Sequence, residues 1–170
     1  MNVSIREFRF EDIPLKIRWI NDAENNMYLH YDIPLEYDST CAWFAKKDNA
    51  TRYDCIILAE GEPVGLIGLL AIDHINSKAE FYVSMGEKCY KRRGVASQAT
   101  KLILDYAFQY LNLNKVYLNV DADNLAAIAL YEKCGFLKEG YFKQDMLCRD
   151  KLIDRVRYAM LRDSFKKEGD

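Results

Sequence analysis

The order of elements along the chain predicts an α+β (α/β layered) domain on a mixed, mostly antiparallel sheet of about seven strands. Three observations carry this prediction. First, two apolar runs, Tyr53 to Glu60 and Val64 to Ile72, flank Gly61-Glu62-Pro63 and read as strands around a tight turn. Second, Lys78 to Met85 alternates: Phe81, Val83 and Met85 fall on one face and Glu80, Tyr82 and Ser84 on the other. Third, after a polar turn, Ala99, Leu102, Ile103, Tyr106 and Tyr110 recur at helical spacing, so a helix begins near Gly94. The full order is strand, helices, three strands, helix, strand, helix, two strands, which is that of a layered domain with a mixed sheet.

Taken from the start, Val3, Ile5, Phe8 and Phe10 suggest an opening strand. Glu11-Asp12-Ile13-Pro14 then supplies the acidic residues and the proline suited to a helix start, and that helix carries Leu15, Ile17, Trp19 and Ile20. Asn21 to Asn26 is polar and breaks it. The aromatic and acidic stretch from Met27 to Asp38 reads either as a loop packing its tyrosines on the core or as a segment near the substrate. Ser39 or Thr40 is a candidate cap for a short helix through Trp43 and Phe44. After the three strands and the glycine-led helix, Lys115 to Asp121 places Val116, Leu118 and Val120 on one face. A helix from Asn124 to Lys133 follows, ended by Gly135. Phe136 to Phe142 and Leu152 to Leu161 are the expected closing strands. There is no internal repeat or linker, so residues 1–170 are read as one domain.

Composition narrows the partners. The net charge of −2 lacks the basic excess that phosphate-backbone binding needs, which argues against nucleic acid. Five cysteines, Cys41, Cys55, Cys89, Cys134 and Cys148, are odd in number and too widely spaced for a finger or C-x-x-C pattern. Neither a disulfide framework nor a metal site is suggested, and reduced thiols fit a cytoplasmic protein. No run approaches the length of about 20 apolar residues that a membrane span requires. A homo-oligomer is compatible with the sequence, which does not specify one.

Against this background the basic cluster Lys91-Arg92-Arg93 before Gly94 stands out. Unpaired amides at a helix N-terminus bind phosphate oxygens, and glycine permits close approach to the backbone. The stretch reads either as an anion cradle or as a solvated basic turn. It is not a Walker loop, since no Gly-Lys-Ser/Thr follows, and it lacks the three glycines of a dinucleotide fingerprint.

Lys91-Arg92-Arg93-Gly94-Val95-Ala96 resembles the Arg/Gln-x-x-Gly-x-Gly/Ala loop of the GCN5-related N-acetyltransferase (GNAT) family, with Lys91 where Arg or Gln is usual. Asp123-Asn124, Ala127-Ile128, Tyr131-Glu132-Lys133 and Gly135-Phe136 are similar to the family's later helix. The resemblance implies acetyl-CoA as co-substrate, its pyrophosphate on the amides from Lys91 through Ser97, with Val83, Ser84, Met85, Asn124 and Lys133 also on the cofactor. It implies a fold with helices on both faces of the sheet and a splayed central pair, 80–85 from 116–121. Further segments, among them Val64-Gly65-Leu66, Ala79-Glu80-Phe81 and Val120-Asp121, are similar to the bacterial spermidine/spermine N-acetyltransferases and the related ribosomal-protein acetyltransferase-like branch. Where those enzymes carry acidic residues for polyamine nitrogens, Gly68 and Ala71 stand here, and one extra residue lies in the turn 86–90. Asp32, Glu36 and Asp38 are the remaining candidates for the amine.

The chemistry implied is acyl transfer to a primary amine of a small molecule, a polyamine ahead of a protein N-terminus or an amino sugar. An alkylammonium with a pKa near ~10.4 must lose a proton, and a thiol near ~8.5 leaves more readily beside a donor. Tyr131 is the candidate donor, or else a core tyrosine on the Ile128 face. A backbone N–H at or next to Val83 is the candidate partner of the thioester oxygen. Glu80 is the candidate base through water, with Glu36, Asp38 and His74 as competitors. A non-catalytic acetyl-CoA-binding module is the alternative from another class.

Overall fold

The computed structural model describes residues 1–166. Seven strands form one sheet: β1 (Val3–Glu7), β2 (Tyr53–Ala59), β3 (Glu62–Asp73), β4 (Lys78–Met85), β5 (Lys115–Asp121), β6 (Leu137–Cys148) and β7 (Lys151–Leu161). The helices are α1 (Ile13–Asn21), α2 (Tyr37–Lys46), α3 (Val95–Asp105), α4 (Leu125–Lys133) and α5 (Arg162–Lys166). Strand order is β1-β2-β3-β4-β5-β7-β6, antiparallel throughout except for the parallel pair β4/β5. The expected layering and element order are found, with one addition, the short helix α5 after β7. No helix among the described residues is long and apolar enough to cross a membrane.

Period-two patterning holds because each face of the sheet meets a different apolar layer. On one face Phe81, Val116, Leu118 and Val120 pack with Val95, Ala99 and Ile103 of α3 and Tyr131 of α4. On the other, Ile56, Leu66 and Tyr82 pack with Ile13, Trp19 and Ile20 of α1 and with Trp43 and Phe44 of α2. Helices therefore cover both faces. The hairpin β2/β3 turns on Glu60 and Gly61, both at positive φ, with Ala59 opposite Glu62.

Three details differ from expectation. The helix α2 starts at Tyr37, before Ser39 and Thr40. Both lie inside its first turn and return their hydroxyls to the Glu36 carbonyl at 3.1 and 2.7 Å, so neither is the cap. Along α3 and the turn that follows it, Leu102 and Tyr110 are exposed, and burial falls on Ala99, Thr100, Ile103, Leu104, Ala107 and Phe108. A π-helical turn at Tyr106–Tyr110 ends the helix, and Tyr53, Tyr106 and Tyr110 stack outside it with ring centroids 4.2 and 4.9 Å apart. Finally, β6 runs on to Cys148, bulged between Phe142 and Met146, where a shorter strand was expected.

One buried charge sits in the second core. Lys16 shares the apolar face of α1 with Ile13 and Ile20, is 6% exposed, and rests its ammonium 3.4 Å from the Trp43 ring centre. Burial pushes its pKa down to about 8. The unfolded chain, with lysine near ~10.4, then holds this proton more tightly than the folded one, so stability rises with pH between about 8 and 10.4. Below pH 8 the cost of burying the charge is borne in full. Lys16→Met is expected to stabilise the fold by about 1–2 kcal/mol at pH 7, with the gain fading by pH 10, in urea unfolding at the two pH values. A loss at pH 7 would show that the contact with Trp43 outweighs desolvation.

Candidate active site

The sheet opens in the middle. Parallel pairing of β4 with β5 is confined to Lys78–Lys115, Ala79–Val116 and Glu80–Tyr117, and the strands part beyond Glu80. Gly86 N donates to Val64 O at 2.8 Å, so by the alternation of an antiparallel ladder Ser84, Tyr82 and Glu80 bond β3. The N–H and C=O groups of Phe81, Val83 and Met85 therefore face the gap. The splayed pair expected at 80–85 and 116–121 is present, with unpaired donors along one edge.

Beyond β4 the chain makes a 3₁₀ turn at Lys88–Tyr90 and reaches Gly94, the N-cap of α3, at φ +81°. That left-handed conformation is why glycine stands there. A Cβ added at Gly94 would meet only Gln98 Nε2 at 4.0 Å, so the space above the helix start is open. The first helical bond runs from Gln98 N to Gly94 O at 3.1 Å, which leaves the amides of Val95, Ala96 and Ser97 for an external acceptor. Arg92 and Arg93 are exposed beside them. Lys91 is turned aside: its ammonium donates to Asn25 Oδ1 at 2.6 Å and ties the loop to the α1–α2 connection. Lys88 bridges to Asp22 and Glu24, and Glu87 accepts from Arg18 and, at 2.7 Å, from Trp19 Nε1. Side chains before Gly94 thus brace the cradle, and its amides and two arginines remain for an anion.

Tyr131, in the last turn of α4, is 8% exposed and lies against Phe81 and Phe136, with ring centroids 6.1 and 6.0 Å away. It stands on the α3/α4 face of the opening. Burial, with Cys134 adding to it, pushes its phenol above the ordinary tyrosine value and keeps it protonated. Asn124 caps α4, accepting from Ala127 N at 3.2 Å, which leaves its amide NH2 free for a ligand. Lys133 is exposed at the other end of that helix.

The α1/α2 face of the opening carries the titratable groups. Glu80 stands where the strands part. Asn119 Nδ2 lies 3.5 Å from its Oε1, and Asn119 Oδ1 in turn accepts from Arg157 Nε at 3.1 Å. His30 Nε2 lies 2.7 Å from Oδ1 of Asp121, which is 6% exposed. Two strands away, Tyr82 crosses over Gly68 to donate to Asp54 Oδ1 at 2.7 Å, and Arg52 donates two bonds of 2.8 Å to the same carboxylate. A Cβ on Gly68 would sit 2.7 Å from the Tyr82 ring and 2.3 Å from Tyr53 O. Gly68 is therefore required by the passage of Tyr82, and no side chain fits at that position.

Asp32, Glu36 and Asp38 are all exposed and join no ion pair among the described residues. No hydrogen bond or ion pair among the described residues brings their side chains to β4 or β5. His74 is exposed in the turn after β3, on an element that does not border the gap. The histidine brought to the opening is the other one, His30. Sequence reading missed it together with Asp121 and Asn119. The signal present was the polar side of β5, Tyr117-Asn119-Asp121, alternating with its buried side.

Comparison with known proteins agrees with this architecture. Residues 2–137 match the acetyltransferase (GNAT) domain family. Spermidine N(1)-acetyltransferase from Escherichia coli strain K12 is 34% identical over 173 residues, covering 98% of this chain and 90% of that protein. The provisionally named ribosomal N-acetyltransferase YdaF of Bacillus subtilis is 29% identical over 155 residues, covering 89% and 80%. Among solved structures, spermidine N-acetyltransferase from Vibrio cholerae in complex with CoA and spermine superposes with a TM-score of 0.87 at 25% identity, covering 96% of this chain and 98% of that one. A family match over most of the chain and a relative above 30% identity across nearly all of it make this chain a member of the GNAT acetyltransferase family.

Proposed function

We propose that residues 1–170 act as a single acetyltransferase domain that transfers the acetyl group of acetyl-CoA to a primary amine of a small polyamine-like molecule, by direct attack in a ternary complex. The observation that carries this reading is the opening between β4 and β5, with a protonated phenol on one face and carboxylates on the other. The residues present suit the co-substrate. The free amides of Val95, Ala96 and Ser97, with Arg92 and Arg93, offer a pyrophosphate site, and the edge of Phe81, Val83 and Met85 offers bonds to an extended pantetheine arm. Acetyl-CoA supplies an acyl group activated as a thioester.

This chain's own groups do the rest. The Val83 N–H faces the gap and donates to the acyl oxygen as negative charge develops on it, from a position fixed by the β3/β4 ladder. The Tyr131 hydroxyl donates towards the leaving sulfur. Glu80, the base expected from sequence, provides a negative charge at the closed end of the opening and draws an ammonium to that face. The relatives named for spermidine support a polyamine acceptor, and the exposed carboxylates of Asp32, Glu36 and Asp38 are offered as partners for its ammonium groups.

Purified protein with acetyl-CoA and a panel of amines should release free CoA fastest with spermidine or a related polyamine. Neutral amino sugars and peptide N-termini should be slower by about tenfold or more. Comparable turnover of amino sugars with spermidine inert would overturn the polyamine assignment, and no CoA release with any amine would overturn catalysis.

A further inference from the structure

We propose that His30, oriented by Asp121, is the group that takes the proton from the acceptor amine, an inference that rests on the acetyl-transfer reading above. Continuing the parallel register past Glu80–Tyr117 sets residue 83 level with 120 and residue 84 level with 121. Asp121, and with it the His30 ring 2.7 Å away, therefore stands across the gap from the Val83 amide, where the acyl oxygen is held. Glu80 lies three residues back along β4, where the strands are still joined.

The segment that carries His30 is fixed across the amine side of the opening. Arg149, in the β6–β7 turn, donates to Asn26 O and Leu29 O at 3.3 and 3.2 Å. The Tyr28 hydroxyl reaches Asp123 O at 3.4 Å, and Asn21 holds both the N–H and C=O of Leu35. On the β2 side, the Lys16 ammonium lies 5.6 Å from the Tyr31 ring centre. Consecutive residues thus span the opening, His30 against β5 and Tyr31 towards α1 and β2. The charged and titratable groups around His30 are Asp121 from β5, Arg149 from the β6–β7 turn, and Tyr28 and Asp32 of its own segment.

A carboxylate accepts hydrogen bonds and does not donate them, so Asp121 fixes the shared proton on Nε2 and leaves the lone pair of Nδ1 as the acceptor. Imidazoles, ordinarily near ~6.5, are closer to neutral operating pH than carboxylates near ~4.3, which makes them the better general base towards an ammonium. The proton passes from the ammonium nitrogen to Nδ1, giving an imidazolium held by Asp121. The neutral amine nitrogen then bonds to the acyl carbon and the carbon–sulfur bond breaks. Sulfur takes the Tyr131 proton, the phenolate is reprotonated by one of the two protons left on the attacking nitrogen while the other stays as the amide N–H, and His30 returns its proton to water. Amide, free thiol and one proton are the products.

The test is the kinetics of His30→Gln, His30→Ala and Glu80→Gln with the best amine of the acceptor screen. His30→Gln keeps a polar planar side chain but no base, so kcat should fall about 10²-fold while the acetyl-CoA Kd and Tm stay near those of wild type. Added imidazole should restore part of the kcat of His30→Ala, which a merely structural role would not allow. Glu80→Gln should raise the KM for the amine with kcat kept within about threefold. The inference is overturned if His30→Gln retains kcat within threefold, if imidazole restores nothing to His30→Ala, or if Glu80→Gln shows the kcat loss instead. A wild type that transfers acetyl to no amine would instead sink the acetyl-transfer reading.

Discussion

Gly94→Asp is expected to abolish the rise in melting temperature that acetyl-CoA gives the wild-type protein. A ligand bound only to the folded state stabilises it by RT ln(1 + [L]/Kd), about 2.7 kcal/mol at a hundredfold excess over Kd, so the wild-type shift is large enough to read clearly. The variant should still fold. Although φ at this position is +81°, aspartate tolerates the left-handed region better than most residues, and a Cβ there meets nothing closer than 4.0 Å. Its carboxylate, however, is placed beside the amides of Val95, Ala96 and Ser97, where it competes for the donors and repels the pyrophosphate. Gly94→Ala, which adds bulk without charge, should keep a reduced shift. A Gly94→Asp protein that binds acetyl-CoA as wild type does would show that the cradle is elsewhere, and Arg92 and Arg93 would be the place to look.

The fold was legible because its signals are local. The alternation of Lys78 to Met85 and of Lys115 to Asp121 marks strands whose two faces meet different layers, and the glycine before Val95 marks a helix start with free amides. Lys16 shows how such a signal is overlooked: its spacing from Ile13 and Ile20 puts it on the buried face of α1, while its charge suggests the opposite. The opening between β4 and β5 has no local mark. It arises because the only parallel pair in the sheet stops after three residues, and this was anticipated only through the family resemblance. The His30–Asp121 pair joins residues 91 positions apart, so nothing within either segment predicts the other. Conversely, the acidic residues that sequence reading favoured for the amine, Asp32, Glu36 and Asp38, are exposed, as charged residues without partners generally are.

Replacing Tyr131 with phenylalanine should lower kcat by about 10²–10⁴-fold and leave acetyl-CoA affinity nearly unchanged, because a proton donor to the departing sulfur acts only once the thioester is breaking. Packing alone would change little, since the ring keeps its contacts with Phe81 and Phe136 when only the hydroxyl is removed. The pH dependence follows from burial. Apolar walls push the phenol above the ordinary tyrosine value of about 10, so the wild-type donor stays protonated through that pH, and its ionisation does not erase the difference between the two proteins. A kcat ratio measured from pH 7 to pH 9.5 should therefore stay large, narrowing only as far as a thiolate near ~8.5 becomes a good leaving group unaided. A Tyr131→Phe protein with full kcat, or one that loses mainly cofactor affinity, would make Tyr131 a wall of the opening and leave water to protonate the sulfur.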